Sequence, residues 1–529
     1  MMRFDDPLTP AHPTRPVAAQ ATTVAAMFAA RVRRTPDGPA FRYKQDGRWL
    51  SATWEAFDAA ARSLASFLIE AGVEAGDKVT IIGATRAEWA VADIGGQLAG
   101  AVTVGAYPTL TAEQLAYIVD HSDSKVAFVQ GRAEVDKLLE ARESCPRLQT
   151  IVVWDADDAA EHIADHEHII AWADVVAATP DHAAVARRMA AIDGSACAVI
   201  VYTSGTTGPP KGAMISHANI LCVLSHDTGV QFDAHDHALS FLPMAHVAER
   251  ILGFYGRVNH GTSTSFATSI PAVLTEVREV KPTLFGSVPR IFEKAYDRVR
   301  AEVDKAPAAK SRVFGWAESV GRRCVERWQR GLGTPRHLAV QYALADRLVF
   351  RKLREVFGGR VKFFVTGAAP IPREVLDFFW ASGFRVFEAY GITEGTVISH
   401  INRPGATRLG SVGKPLGYAE CKLAEDGEIL VRGGHVFLGY YKNEAATAET
   451  VDAEGWLHTG DIGRIDDDGY LFIVDRKKHI IITAGGKNLT PANIENEIKT
   501  EDPLISQVHA HGDRRPYITA LVTVSPMWR

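Results

Sequence analysis

The sequence predicts an α/β fold followed by a small β-subdomain. Short apolar segments alternate with segments whose apolar residues recur at helical spacing, a pattern typical of a parallel sheet covered by helices. A chain of 529 residues exceeds what one hydrophobic core can organise, so we expect several subdomains. Near residue 400 the pattern changes to short strands joined by Asp-Gly turns, which indicate antiparallel hairpins.

The individual elements follow from local periodicity. Residues 1–20 contain four prolines and predict an irregular arm. Helical spacing predicts helices over 23–33, 53–71, 86–99 and 111–121, and short apolar runs predict strands over 79–82, 101–104, 125–129, 239–242, 283–288 and 361–366. The polar stretch 155–185 contains three histidines without a Cys or carboxylate frame, so we expect solvated structure there and no metal site. Turns at 426–427 and 468–469 place the β-subdomain at about 400–474.

Composition narrows the class of protein. Apolar residues make up 47% of the chain and charged residues 23%, as in ordinary soluble domains. A formal charge of −5 argues against general nucleic-acid binding. The five cysteines form no CxxC pair, which favours reduced thiols and a cytoplasmic location. The sequence has neither a secretory start nor an apolar run of the ~18 residues that span a bilayer, so we expect no integral membrane segment.

One loop has the residue types that bind a phosphate chain. It reads YTSGTTGPPKG over 202–212 and follows an apolar run. Hydroxyls, flexible glycines and one cation can close around phosphates, and the candidates are Thr203, Ser204, Gly205, Thr206, Thr207, Gly208 and Lys211. The common phosphate loop ends in Gly-Lys and then Ser or Thr, unlike this one. A surface turn is the alternative for a short segment of this composition.

The loop resembles the signature of the adenylate-forming superfamily, which includes acyl-CoA synthetases, luciferases and peptide-synthetase adenylation domains. Four further motifs resemble that superfamily in its own order: TGAAPI at 366–371, FEAYGITEG at 387–395, GWLHTGDIG at 455–463 and DRKKHIIITAGGKN at 475–488. The resemblance implies a large N-terminal domain over 1–475, built from two α/β subdomains and the β-subdomain. A hinge and a small α+β C-terminal domain would follow over 476–529, where it is truncated.

The resemblance also assigns roles to individual residues. In the nucleotide site it places Gly367, Ala368, Ala369, Glu388, Ala389, Tyr390 and Gly391 around adenine, Thr393 at the α-phosphate, and Asp461 and Arg476 at the ribose. Thr203 and Glu394 would bind Mg²⁺, which prefers oxygen ligands. Lys478 matches the hinge. His246, in FLPMAHVAER, would lie beside the carboxylate of the substrate, where a strand end in an α/β sheet can place a ligand-binding residue.

Each of these residues also has a structural alternative. A Thr-Glu pair is often a helix cap, an aspartate between strands is often a turn residue, and a lone histidine after a strand often only forms a hydrogen bond. Apolar residues near Phe254, Tyr255, Val288 and Ile291 fit either an acyl tunnel or the core.

The implied activity is that of an ATP-dependent ligase, most similar to bacterial long-chain fatty acyl-CoA synthetases. The acid would attack the α-phosphorus of ATP, and coenzyme A would then displace AMP, with His246, Lys211, Thr393 and Glu394 as catalytic residues. One alternative is an acyl-AMP ligase that delivers to a carrier protein. A second is a nucleotide-binding protein that is inactive in adenylation, because no lysine follows Lys499 and Lys487 is too close to the hinge. We therefore expect slow adenylate formation with retained nucleotide binding.

A basic segment suggests contact with lipid. Residues 310–360 contain 12 Lys and Arg against four Asp and Glu, with Phe314, Trp316, Trp328 and Phe350 interleaved at helical spacing. Such a surface can rest on anionic lipid, which would add peripheral membrane contact to a cytoplasmic location. The alternative is a solvated helical hairpin whose aromatic side chains lie in the core. The sequence does not indicate an oligomeric state.

Overall fold

The computed structural model describes residues 4, 9–203, 208–478, 481–482, 488–489, 491, 494–495, 497–498, 504–513, 515 and 517–524. Its strands, in chain order, are β1 Pro39–Gln45, β2 Arg48–Thr53, β3 Lys78–Ile82, β4 Val102–Ala106, β5 Ser124–Val129, β6 Thr150–Val153, β7 Ile169–Ala171, β8 Cys197–Thr203, β9 Lys211–Ser216, β10 His237–Ser240, β11 Ser263–Phe266, β12 Leu284–Ser287, β13 Phe363–Thr366, β14 Val386–Tyr390, β15 His400–Ile401, β16 Lys414–Pro415, β17 Ala419–Leu423, β18 Glu428–Gly433, β19 Gly439–Tyr440, β20 Leu457–Ile465, β21 Leu471–Arg476, β22 Ile481–Ile482, β23 Asn488–Leu489, β24 Ile505–His511 and β25 Thr519–Val524.

Helices alternate with these strands. The α-helices are α1 Val24–Arg34, α2 Trp54–Glu70, α3 Ala87–Leu98, α4 Ala112–His121, α5 Arg132–Glu140, α6 Ala160–Asp165, α7 Trp172–Ala177, α8 His182–Ala190, α9 His217–Ser225, α10 Gly256–His260, α11 Val273–Val280, α12 Pro289–Asp304, α13 Ala308–Gln329, α14 Arg336–Ala345, α15 Arg351–Arg354, α16 Arg373–Ala381 and α17 Glu444–Thr450. Two π-helices span Ala248–Tyr255 and Asp346–Phe350. Short 3₁₀ helices span Ala18–Gln20, Arg142–Ser144, Glu355–Phe357 and Thr393–Gly395. No helix in the described part of the chain is both long enough and apolar enough to cross a membrane.

Two large sheets form the α/β part, as predicted. The first has the order β19-β9-β8-β4-β3-β5-β6-β7, and its strands from β8 to β7 are parallel. The second has the order β16-β15-β14-β13-β12-β10-β11-β1-β2, with antiparallel strands only at its edges. The parallel strands of both sheets are mostly buried, because helices cover both faces. Their carboxyl ends are where α/β sheets bind ligands.

A third, four-stranded sheet is antiparallel, with the order β17-β18-β20-β21. The predicted Asp-Gly turns join its strands, and Gly427 and Gly469 both have positive φ. The strands of the region 400–474 divide among all three sheets, because β15 and β16 extend the second sheet and β19 extends the first. The limits of the subdomains remain a prediction.

Some elements at the N-terminus were not predicted. β1 and β2 form an antiparallel hairpin around Asp46 and Gly47, both of which have positive φ. An Asp-Gly pair between two runs with aromatic residues is a hairpin signal, so the sequence contained this information. The arm is also less irregular than expected, because Ala18–Gln20 is helical and Phe4 packs against Trp328.

The basic segment 310–360 forms packed helices whose aromatic residues point inward. Phe314 and Phe350 are buried, and Trp328 stacks on Trp380 with ring centroids 4.9 Å apart. Trp316 is half-buried. These aromatic side chains therefore match the alternative of a helical hairpin with its aromatics in the core. They do not form the lipid-facing surface that the sequence suggested.

The stretch 155–185 differs in part from the predicted solvated structure, because it contributes a strand to the first sheet. It forms short helices and the edge strand β7, and His162 is paired with Asp136 at 2.8 Å. Within the described residues, no group of three or more His, Cys, Asp or Glu side chains is arranged to hold a metal ion.

Candidate active site

The phosphate-binding candidate connects two antiparallel strands of the first sheet. Thr203, at the end of β8, pairs in register with Lys211, at the start of β9. The two ends of the loop are therefore held side by side, and Gly208 has a φ of 92°, which favours glycine. Four of the predicted phosphate ligands, Ser204, Gly205, Thr206 and Thr207, lie outside the described residues.

Tyr440 joins this loop to the predicted magnesium ligand. Its strand β19 pairs with β9, and Lys211 Nζ lies 5.0 Å from the centre of the Tyr440 ring, a cation–π contact. The Tyr440 hydroxyl donates to Glu394 Oε1 at 2.6 Å. Burial, followed by the charge of Glu394, raises the pKa of Tyr440, so the hydroxyl keeps its proton. One side chain thus brings the cation of the loop and the carboxylate together.

Glu394 lies on a short 3₁₀ turn with unusual backbone geometry. After the turn Thr393–Gly395, Thr396 and Val397 have φ values of 45° and 81°, a region that β-branched residues rarely adopt. The chain folds back so closely that a Cβ at Gly391 would lie 2.1 Å from the Val397 carbonyl oxygen. Only glycine fits at position 391. The positive φ values of Thr396 and Val397 cost energy, and such backbone strain is typical of a functional segment. Thr393 and Glu394 are half-buried.

The predicted adenine segments lie against each other on neighbouring strands of the second sheet. β13 and β14 are parallel, and Gly367 follows β13 directly. A Cβ at Gly367 would lie 2.9 Å from the Ala389 carbonyl oxygen, so glycine permits the close approach. Ala368 has a φ of 66°, and Ala369 is exposed. The structure therefore places 367–369 opposite Ala389, at the ends of two parallel strands.

Glu388 points away from this surface. Its carboxylate is buried and accepts hydrogen bonds from Gly410 N at 3.0 Å and from Asn402 Nδ2 at 3.3 Å. Burial raises the pKa of Glu388 to about 8, so the carboxyl is largely neutral at pH 7. The side chain therefore has a structural role, and a nucleotide contact at this position would have to involve its backbone.

The predicted ribose site is a small hydrogen-bonded cluster. Asp461 is buried on β20, and its Oδ2 accepts from the Tyr390 hydroxyl at 2.7 Å. Arg476, opposite on β21, has its Nε 3.3 Å from Asp461 Oδ1. Burial raises the pKa of Asp461, and the hydrogen bond from Tyr390 and the charge of Arg476 oppose that change. The cluster joins the second and third sheets.

The hinge candidate follows this cluster directly. Lys478 lies two residues after Arg476, the last residue of β21. The preceding residue, Lys477, is tied to the third sheet, because its Nζ lies 3.0 Å from Glu428 Oε2 and its N–H donates to Gly460 O at 2.8 Å. The chain is thus anchored to the third sheet immediately before the predicted hinge.

His246 lies on a loop that is attached to both large sheets. The loop follows β10, and Thr85 follows β3 of the first sheet. The Thr85 hydroxyl donates to Leu242 O at 2.6 Å and accepts from Met244 N at 3.1 Å. A Cβ at Gly105 would lie 2.7 Å from Ala245 Cα, so the loop rests directly on β4. Burial lowers the pKa of His246, which favours a neutral imidazole at pH 7. Its Nδ1 accepts from Ala248 N at 3.1 Å.

Behind His246, a fully buried ion pair connects the two sheets. Arg250, on the π-helix Ala248–Tyr255, binds Asp93 of α3, and both side chains are inaccessible to solvent. The Tyr255 hydroxyl donates to Asp93 Oδ2 at 2.7 Å, and Thr103 of β4 also contacts Arg250. Tyr255 is therefore a polar core residue rather than a tunnel wall. Phe254 is also buried, whereas Val288 and Ile291 are half-buried.

Sequence reasoning missed Tyr440, Asp93 and Arg250. Tyr440 lies outside every quoted motif, and nothing in its local spacing indicates that it contacts Glu394. Arg250 ends the FLPMAHVAER motif, yet its partner lies 157 residues earlier. An arginine within an apolar segment was the one available signal, because a buried charge requires a partner.

Comparison with known proteins decides the family. A model of AMP-binding enzymes matches residues 28–441, and a model of the C-terminal domain of AMP-binding enzymes matches residues 478–528. The chain belongs to the AMP-binding enzyme family. The resemblance found in the sequence motifs is therefore confirmed.

Curated relatives of this AMP-binding enzyme include long-chain-fatty-acid–CoA ligases. FadD15 of Mycobacterium tuberculosis is 37% identical over 516 residues, which cover 95% of this chain and 82% of the relative. ACSBG2 of Homo sapiens is 31% identical, with coverage of 95% and 76%.

Solved structures share the fold at lower identity. The adenylation domain of a carboxylate reductase from Mycobacterium chelonae has a TM-score of 0.77 at 22% identity, covering 97% of this chain and 82% of its own. A Mycobacterium tuberculosis fatty acyl CoA synthetase has a TM-score of 0.66 at 22% identity, with coverage of 96% and 89%. The predicted α/β architecture, with a large N-terminal and a small C-terminal part, agrees with these structures.

Proposed function

We propose that the protein is an ATP-dependent ligase that activates a long-chain fatty acid to acyl-AMP and transfers the acyl group to coenzyme A. The observation that carries the proposal is the contact of Tyr440 with both Lys211 and Glu394. A cation at the end of a hydroxyl-rich loop and a half-buried carboxylate then face one nucleotide. The identity to long-chain-fatty-acid–CoA ligases supports the choice of acid and thiol.

In the first half of the reaction, an oxygen of the fatty acid carboxylate attacks the α-phosphorus of ATP. The new bond between the carboxylate oxygen and the α-phosphorus makes a mixed anhydride, and the bond from the α-phosphorus to the oxygen bridging it to the β-phosphate breaks, releasing pyrophosphate. No protein nucleophile is required, so the protein contributes positioning and charge neutralisation. Lys211 and the loop hydroxyls bind phosphate oxygens, and Thr393 donates to the α-phosphate.

The residues present fit a bound Mg²⁺. This ion takes oxygen ligands and is commonly held by one or two protein carboxylates together with substrate phosphates, so a three-ligand protein cluster is not required. Glu394 offers the carboxylate, and Thr203 offers a hydroxyl beside Lys211. When bound, the ion neutralises phosphate charge as it develops during the displacement.

Nucleotide orientation would come from the ribose cluster, which joins the second and third sheets, and from the strand ends of the second sheet. Asp461 has two carboxylate oxygens, a suitable acceptor for both ribose hydroxyls, with Arg476 beside it. Residues 367–369 and Ala389 offer a narrow, mostly backbone surface for the adenine ring. Glu388, Tyr390 and Gly391 would hold that surface in shape.

In the second half, the coenzyme A thiolate attacks the acyl carbonyl carbon. A thioester forms, and AMP leaves with the electron pair of the broken acyl–oxygen bond. A neutral His246 at the loop over β4 would shape the passage for the acid and the thiol. Rotation of the C-terminal domain at Lys478 would convert the protein from the form that makes acyl-AMP to the form that makes the thioester.

The test is mass spectrometry of thioester products from a mixed-chain-length acid pool with ATP, Mg²⁺ and coenzyme A. We expect long-chain acyl-CoA and equimolar AMP, and a loss on the order of a hundredfold for Glu394→Gln. Glu374→Gln is the matched control, because Glu374 also accepts a tyrosine hydroxyl, that of Tyr296 at 2.5 Å. Thioester formation that is equal in both variants, or acyl-AMP without acyl-CoA, would contradict the proposal.

Peripheral contact with a membrane is a further part of the proposal. Long-chain acids partition into bilayers, so an enzyme at the surface would meet its substrate there. The inward-facing aromatics of residues 310–360 give no support to this contact, and it has to come from another part of the segment.

A further inference from the structure

The helical stretch 336–354 is apolar on two opposite faces. It comprises α14, the π-helix Asp346–Phe350 and α15 without interruption. On its inner side Leu338, Tyr342 and Phe350 are buried in the core. On its outer side Val340, Leu344 and Leu348 are 70%, 49% and 47% exposed. A helix of a soluble domain normally has a polar outer face, so these exposed residues require an explanation.

The three exposed residues form one stripe, because they are spaced four residues apart on a continuous helix. Basic side chains rim the stripe: Arg336 one turn before it, Arg347 within it, and Arg351 and Lys352 at its end. All four are exposed. We call Val340, Leu344, Leu348 and these four residues the apolar-basic face.

The basic residues of the apolar-basic face differ in their ion pairing from those of the neighbouring helix. None of its four basic residues forms an ion pair with another described residue. On the neighbouring helix α13 the pattern is different, because Arg322 is paired with Glu318 and Arg330 with Glu326. Asp346, the acidic residue within 336–352, is itself paired with Arg354 at 2.6 Å.

We propose that the apolar-basic face is a docking surface for an anionic lipid bilayer. Apolar side chains enter the boundary between headgroups and acyl chains, and the flanking cations bind lipid phosphates. A second copy of this chain fits poorly, because isologous contact would bring unpaired arginines against each other. This inference rests on the proposed function only in giving the docking a purpose, since the acid would be taken from the bilayer.

The experiment is co-sedimentation with vesicles of phosphatidylcholine alone or mixed with phosphatidylglycerol, at low and high salt. We expect binding to the anionic vesicles that weakens with salt. The triple variant Arg347→Gln, Arg351→Gln and Lys352→Gln should lower the partition coefficient roughly a hundredfold, at about fivefold for each basic residue. The variant Val340→Ser, Leu344→Ser and Leu348→Ser should also bind weakly.

Matched controls separate this face from general effects. Arg33, Arg48 and Arg278 are exposed basic residues elsewhere, and their triple Gln variant removes the same charge. Ile270 is 61% exposed, so Ile270→Ser removes a comparable apolar side chain. Both controls should bind vesicles as the unaltered protein does.

Equal sedimentation with neutral and anionic vesicles would overturn the proposal. So would face variants that bind as well as the controls, or a dimer that the Ser variant converts to monomer. Thioester synthesis from acid presented on albumin separates this result from the proposed function. Face variants should retain that activity, and a protein that never forms a thioester could still bind vesicles through this face.

Discussion

Removing one hydroxyl group tests whether Tyr440 organises the active site. Tyr440→Phe keeps the ring that Lys211 contacts at 5.0 Å but deletes the donor to Glu394 Oε1 at 2.6 Å. Because the ring remains, packing and the cation–π contact should change little. The variant therefore isolates the hydrogen bond that fixes the orientation of the carboxylate.

The magnitude follows from the type of bond. A hydrogen bond to a charged group contributes about 1.5 to 3 kcal/mol, which corresponds to a loss of roughly 10- to 150-fold if the whole contribution is used in the transition state. Tyr440→Leu also removes the cation–π contact, and we expect a further loss of roughly two- to fivefold at a partly exposed site.

The assay is acid-dependent thioester formation measured over a range of Mg²⁺ concentrations. Tyr440→Phe should lower kcat/KM and require more Mg²⁺ for half-maximal rate, because Glu394 is less well oriented as a ligand. Tyr441→Phe is the control: its hydroxyl also donates to a carboxylate, Asp123 Oδ2 at 2.8 Å, away from Glu394. It should keep the Mg²⁺ dependence of the unaltered protein.

If Tyr440→Phe and Tyr441→Phe gave the same kcat/KM and the same Mg²⁺ dependence, the reasoning would fail. Tyr440 would then be a packing residue, and its contacts with Lys211 and Glu394 would not contribute to catalysis. Thermal unfolding of both variants checks that any loss is not a folding defect.

Three other substitutions test neighbouring features. The pKa of Glu388 is raised from 4.5 to about 8, so the stability that its neutral form contributes is present below pH 4.5 and is lost as pH rises towards 8. Glu388→Gln should flatten this decline in thermal stability, an effect of about 3 to 5 kcal/mol. Asp461→Asn should weaken ATP binding about tenfold by calorimetry, since it keeps an acceptor for Tyr390 but loses the charge beside the ribose. Arg250→Met leaves Asp93 buried without its cation and should cost about 3 to 5 kcal/mol of stability by thermal unfolding, with partial recovery when Asp93→Asn is added.

The sequence predicted those parts of the molecule that depend on local pattern. Apolar runs located six of the parallel strands, β3, β4, β5, β10, β12 and β13, but not β6, β7, β11 or β14. The Asp-Gly pairs at 426–427 and 468–469 located the antiparallel hairpins. The contact between 367–369 and Ala389 agrees with the resemblance, which places both segments around adenine. In each case the relevant information lies within a few residues or in a strand order common to the fold.

Contacts between distant segments were not predicted. Tyr440 reaches Glu394 because β19 crosses from the region of the third sheet to pair with β9 of the first, a pairing that no local pattern indicates. Arg250 and Asp93 meet because the loop after β10 rests on β4. Both depend on how the large sheets pack together, and single-sequence periodicity contains little information about that packing.

The two glutamates of the FEAYGITEG motif illustrate the same limit within nine residues. Glu388 lies on β14 with its side chain directed into the core, where it binds backbone and amide groups and its pKa rises to about 8. Glu394 lies six residues later, half-buried beside Tyr440. Resemblance assigned both to the nucleotide site, but alternation along the strand decides which side chain can reach a ligand. Because a carboxylate that binds a cation has to be able to reach it, we propose Glu394 rather than Glu388 as the metal-binding carboxylate of this motif, whereas the Glu388 side chain holds the strand on which the motif is built.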